Sequence, residues 1–285
     1  MTDKLKEKVS CALKNNNIDV EYFSDSVERF YQKIAVLNKL KDCNGLIKSL
    51  LSCNDQNNLK ALIFEASFAF DILSKNGSLK YEVQQGQNAT SIDFLCHLSG
   101  DDVYFELRLV QENINTRETI KDQLEKTNHY SIAMDGGEEQ KELLRLQTIL
   151  IEKCFKDGRP VKFFYKRARL YNIVVVYITD LILGAIDCHD CKLVAYGDAF
   201  VEPVFRRGIS GLFNHDAASN KSDRNAFKDI ISGILFVRNS PRATSLLDLD
   251  LEYLLMHNPT LFDKTTLMNL ASKLSIFMKT WSKQT

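Results

Sequence analysis

The chain has 285 residues, 45% of them hydrophobic and 26% charged, with Lys+Arg and Asp+Glu both at 37. That length buries an ample core as one large domain or two smaller ones, and the composition is that of an ordinary globular protein. The balanced charge points to no nucleic-acid or membrane partner by itself, and no apolar run approaches the roughly 18 residues of a membrane span.

The opening stretch MTDKLKEKVSCALKNNN is charged and lacks an apolar core segment. No signal peptide is therefore expected, and the expected location is cytoplasmic. Residues 1 to about 54 read as helical, with Phe23, Val27, Phe30, Ile34, Leu37 and Leu40 at helical spacing. The polar run 54–58 breaks this pattern and caps a helix over about 59–74. Strands are predicted at about 79–85, 91–98 and 103–110. A helix-rich stretch covers 116–154, interrupted at Asp135-Gly136-Gly137, with Leu143, Leu144, Leu146, Ile149 and Leu150 on one side of its second helix.

Further on, residues 161–166 suit a short strand and Asn172–Ile178 a strongly apolar one. The chain then reads as irregular until a buried strand at 230–237. Helices near 243–256 and 261–280 close it, separated by His257-Asn258-Pro259. The expected fold is α/β, a mixed sheet flanked by helices. Residues 1–54 form an N-terminal helical segment and 55–200 the α/β core. Residues 201–285 form a C-terminal extension of one strand and two helices packed on the core. There is no Walker A loop, GxGxxG, HExxH or GxSxG.

Seven scattered cysteines suit free thiols in a reducing compartment. Cys188-His189-Asp190-Cys191 has ligand spacing, but no second CxxC or HxxxH follows to complete a zinc site. It reads as a turn with two thiols.

The densest chemistry lies in SIDFLCHLSGDDVYFELRLVQ, residues 91–111. It reads as two strands joined by the polar turn Ser99-Gly100-Asp101-Asp102. With all four turn residues in the loop, Asp93 lies across from Arg108, and Glu106 lies diagonal to Asp93 on the same face. Two acids and a cation on an apolar hairpin are costly to bury without pairing or a ligand. Paired carboxylates with a nearby cation can hold a divalent metal against a phosphate. Glu65 falls within the apolar stripe of LKALIFEASFAFDIL, whereas Asp71 points to the opposite, solvated side. His97 shares the Asp93 face. Lys162, Lys166, Arg167 and Arg169, interleaved with aromatics, suit phosphate contact and base stacking. Arg206-Arg207 suits a phosphate contact or a plain surface pair.

This order of elements, with Asp93 in SID and Glu106 and Arg108 in FELR, resembles the PD-(D/E)XK nuclease superfamily, the restriction-endonuclease-like fold. The resemblance covers about residues 59–180. It implies Asp93 and Glu106 as ligands of Mg²⁺, with Mn²⁺ as a substitute and the Leu107 carbonyl as a third ligand. It places Arg108 where the family carries a lysine, Glu65 as the acid of the preceding helix, and Gln111 at a position where some relatives carry a functional glutamine. Arginine stays protonated, so Arg108 can stabilise charge but cannot readily accept a proton from water. The implied function is metal-dependent phosphodiester hydrolysis, with DNA as the nucleic-acid partner. No membrane partner is implied, and a homo-oligomer or protein partner is left open. The alternative is a catalytically degenerate nuclease fold in which Arg108 only neutralises Asp93, serving as a nucleic-acid-binding or protein-interaction module. Removing Glu106 is expected to relieve repulsion with Asp93 without loss of stability.

Overall fold

The computed structural model describes residues 2–76, 78–84, 90–110, 114–127, 136–157, 159–163, 168–178, 186–198, 208–214, 222–240, 247–248 and 250–274. Four helices come first: α1 (Thr2–Asn15), α2 (Ser24–Leu37), α3 (Asn44–Leu51) and α4 (Gln56–Asn76). Their apolar stripes close on one another through Leu13, Phe30, Ile34, Leu46, Leu50, Phe64 and Phe68. Next comes a meander of β1 (Leu79–Gln84), β2 (Ser91–Leu98) and β3 (Asp101–Leu109), each antiparallel to the one before. Helices α5 (Ile114–Thr127) and α6 (Gly136–Cys154) lead through a two-stranded ribbon, β4 (Phe155–Lys156) and β5 (Arg159–Pro160), to β6 (Leu170–Tyr177).

Strand β6 runs parallel to β3, and all eight of its residues are buried, as expected of a strand covered on both faces. Helix α7 (Cys188–Tyr196), a ribbon of β7 (Gly197–Asp198) and β8 (Ile209–Ser210), and helix α8 (Ser222–Ile230) follow. Strand β9 (Gly233–Asn239) is parallel to β6, β10 (Leu251–His257) is antiparallel to β9, and α9 (Lys264–Lys273) comes last. The result is α/β: a six-stranded mixed sheet in the order β1-β2-β3-β6-β9-β10, flanked by helices. The N-terminal helices and α9 cover one face, where Phe94, Phe105, Ile173 and Val175 point. Helices α6, α7 and α8 cover the other, where Leu95, Tyr104, Val174 and Val176 point.

Several local expectations change. The hairpin turn is two residues, Ser99 (φ 48°) and Gly100 (φ 86°), the left-handed pair of a tight hairpin. Asp101 and Asp102 belong to β3, because their carboxylates are engaged. Asp101 pairs with Arg169 at 2.9 Å and Lys273 at 3.2 Å, and Asp102 lies 2.6 Å from His97 Nδ1. Of the strand expected at 161–166, residues 161–163 are not in a strand and 164–166 lie outside the described residues. The predicted helix near 243–256 is instead β10 from residue 251, laddered to β9 along its whole length. Leu251 and Tyr253 enter one core while Leu254 and Met256 enter the other, which a strand between two layers permits. Strands β9 and β10 thus complete the sheet of the core.

The Cys188–Cys191 segment is the first turn of α7. Asp187 caps it in a capping box with Asp190. Asp71, partly exposed, accepts the Tyr253 hydroxyl at 2.8 Å. The N-terminal helices are also tied to the segment before β10, where Asp248 accepts Ser26 at 2.7 Å and the Arg29 guanidinium at 2.5 Å. No helix among the described residues is long and apolar enough to cross a membrane.

Candidate functional site

The two-residue turn moves the hairpin register by two. Phe94 pairs with Phe105 and Leu95 with Tyr104, so Asp93 comes level with Glu106 rather than Arg108. Bridging between β2 and β3 stops at Phe94–Phe105. Beyond that point the Asp93 carboxylate replaces the ladder, accepting the Leu107 backbone N–H at 2.7 Å. Strand β2 also twists here. Phe94 lies in the core under the N-terminal helices, whereas Ile92 lies in the opposite core. On β1 the neighbouring Glu82 has φ 48°, and no bridge joins it to Asp93. Asp93 therefore stands where the meander opens and the two faces of the sheet meet.

Glu106 is fully buried on the α6 side. Its Oε1 lies 2.8 Å from the Lys153 ammonium and 3.2 Å from that of Lys162. Its Oε2 has no hydrogen-bond partner among the described residues. Lys153 comes from the last turn of α6. The Lys162 segment is tied to α6 by the Val161 N–H on the Cys154 carbonyl at 2.9 Å, and to β2 by the Thr90 hydroxyl on the Val161 carbonyl. Lys162 also donates to the Ser91 carbonyl at 2.6 Å. Helix α6 is itself held by buried Gln147. That amide donates to the carbonyls of Val194 and Ser210 and accepts Arg224 at 2.6 Å.

Glu65 approaches from α4 on the other side of the sheet, half-buried, and accepts the Tyr81 hydroxyl at 3.1 Å. Burial, with the nearby Asp93 charge, pushes its carboxyl up to about 8, against the Tyr81 hydrogen bond. Burial and then the Glu106 charge push Asp93 up to about 6, while Lys153 and the Leu107 N–H pull the other way. Burial works against the Lys153 charge, but Glu106 and Asp93 outweigh it and hold the ammonium above its ordinary value. At neutral pH, Glu65 is thus mainly protonated. Perturbed groups of both signs in one place are a mark of functional sites.

Asp93 lies near Glu106 and accepts the Leu107 N–H, and Glu65, across the sheet on α4, is near enough for the Asp93 charge to act on it. Arg108 is exposed at the rim and does not pair with Asp93. It is close enough to lower the Lys153 pKa by repulsion. Lys162 points at Glu106. Arg169 is committed to the hairpin turn, donating to Asp101 and to the Ser99 carbonyl at 2.6 Å. Gln111, Lys166, Arg167 and the Arg206-Arg207 pair lie outside the described residues. Lys153 is the functional candidate that the motif reading missed, and its signal was present. It continues the buried stripe of α6, seven residues after Leu146 and three after Leu150, where a charge needs a partner.

No family model, curated protein or solved structure matches the chain.

Proposed function

We propose that this chain is a metal-dependent nuclease of the restriction-endonuclease-like kind, hydrolysing phosphodiester bonds in DNA, with Asp93 and Glu106 at its centre. The observation that carries the reading is the meeting of these two acids where β2 and β3 part. They sit on the second and third strands of a helix, three-stranded meander and crossover to a parallel strand, the order of elements that the resemblance implies. Two carboxylates, the Leu107 carbonyl and water make a donor set that suits Mg²⁺, which keeps several waters and takes one or two carboxylates. The buried, unpartnered Oε2 of Glu106 fits such an ion. Among the described residues no group of three or more His, Cys, Asp or Glu is arranged to hold a metal, so two acids are the most this site offers. A bound Mg²⁺ would supply Lewis-acid polarisation of the phosphate and a more acidic water.

The protein's own residues do the rest. The Leu107 N–H fixes the rotamer of Asp93. Tyr81 orients the carboxyl of Glu65. Arg108 at the rim, with Lys153 behind it, offers positive charge to a phosphate. The cation that the family carries on β3 is thus supplied here from α6 and the loop after β5.

A second reading rests on one observation: Glu106 already holds two ammoniums, so the site is charge-balanced without a metal. The chain would then be a catalytically degenerate binding module. Incubation with plasmid, linear and single-stranded DNA in Mg²⁺, Mn²⁺ or chelator separates the two. Metal-dependent cleavage that is lost in Asp93→Asn supports the nuclease. Salt-sensitive DNA binding without cleavage in either metal supports the module.

A further inference from the structure

We propose that Lys153 and a divalent ion compete for the Glu106 carboxylate, and that a nucleic-acid phosphate favours the metal by drawing the Lys153 ammonium away. This inference rests on the metal-dependent reading of the site and adds a residue to it. The two lysines on Oε1 are not equivalent. Lys162 is anchored, because it also donates to the Ser91 carbonyl at 2.6 Å and its segment is tied to α6 and to β2. Lys153 has no ion-pair partner other than Glu106 among the described residues. Its side chain is 26% exposed and leaves the last turn of α6. Arg108 repels it from the rim.

A metal on Glu106 and an ammonium 2.8 Å from its Oε1 put two positive charges on one carboxylate, which repel in a partly buried site. Lys153 is the one that can leave, since its four-carbon stem reaches the solvent-facing rim where a phosphate would approach Arg108. Coupling of this kind is reciprocal: whatever takes the ammonium tightens the metal, and the metal frees the ammonium for the anion.

The test is Mn²⁺ binding to the full chain, read by electron paramagnetic resonance of the free ion. The proteins are wild type, Lys153→Met, Lys153→Arg and Glu106→Gln. Lys153→Met should bind Mn²⁺ more tightly than wild type by about tenfold or more, the effect of removing one like charge beside the ion. Lys153→Arg keeps the charge and holds the carboxylate in a two-pronged pair, so it should bind more weakly than wild type. A short phosphorothioate DNA duplex, which resists cleavage, should tighten Mn²⁺ binding to wild type more than to Lys153→Met. Equal affinity in wild type and Lys153→Met, or an equal duplex effect on both, overturns the inference. Should Lys153→Met fail to fold, tighter binding by Lys153→Arg overturns it instead. Glu106→Gln keeps the two failures apart. Mn²⁺ binding that Glu106→Gln abolishes but Lys153→Met leaves unchanged removes only the exchange. No Glu106-dependent binding in any protein removes the metal reading as well.

Discussion

Replacing Glu65 by glutamine keeps the side chain's shape and removes its proton equilibrium. In the native protein burial and Asp93 push this carboxyl to about 8, against an ordinary value of 4.5. A folded-state pKa above the unfolded one means that the stabilisation is full below about pH 4.5 and is lost as the pH rises through about 8. At about 1.4 kcal/mol per pH unit, that gap caps the loss at about 5 kcal/mol. Water reaches the half-buried carboxyl, so about half of the ceiling is expected. Asp93, pushed from 3.8 to about 6, gives a similar loss at lower pH in both proteins, so the diagnostic window is pH 6 to 8. Across it, wild type should lose about 1–2 kcal/mol that Glu65→Gln does not, and the variant should be the more stable protein at pH 8. Urea unfolding followed by far-ultraviolet circular dichroism at pH 6, 7 and 8 measures both. Histidine titrations are common to the two proteins and cancel in the difference. Parallel profiles for wild type and variant would refute the assignment of Glu65 as a buried, proton-holding acid.

Glu106→Ala should destabilise the protein by about 3 kcal/mol, the low end for breaking a buried ion pair, because the side chains of Lys153 and Lys162 keep some hydration. A melt showing equal or greater stability would restore the view that repulsion with Asp93 dominates at this position. Gly100→Ala should cost about 1–2 kcal/mol in urea unfolding, from its left-handed backbone. The added methyl also meets the Arg169 guanidinium at 2.8 Å. Arg108→Ala should leave the unfolding free energy unchanged within about half a kcal/mol, being exposed, while lowering DNA affinity and reducing its salt slope by about one phosphate contact. A variant that melts early but binds DNA normally would contradict the rim position of Arg108.

The acid pair was legible because alternation fixes the face of a strand residue whatever the turn length, provided the slip is even. Here the turn shortened by two residues at one strand end, so Asp93 and Glu106 stayed on speaking terms while Arg108 lost its partner. What reassigned Asp101 and Asp102 to β3 was Arg169 and Lys273, distant in sequence, together with His97 on the facing strand. No hairpin propensity carries that information. The stretch that became β10 has Leu251, Leu254 and Leu255 at helical spacing as well as Leu251, Tyr253 and Leu255 in alternation. Only a neighbouring β9 with a free edge decides between the two periods. Helix α7 had a readable start in Asp187 and Asp190, obscured by the cysteine spacing on the same residues. The two lysines on Glu106 required knowing that α6 lies over β3, which is tertiary information. Even so, Lys153 on a buried stripe was a visible anomaly.

The central claim, that Asp93 and Glu106 hold a divalent ion, is tested most directly by anomalous diffraction from crystals soaked in Mn²⁺. The account predicts a peak touching the carboxylates of Asp93 and Glu106 and the Leu107 carbonyl, with the Lys153 ammonium withdrawn from Oε1. A saturated soak with no peak at this position, and with Lys153 still seated 2.8 Å from Glu106, would contradict it.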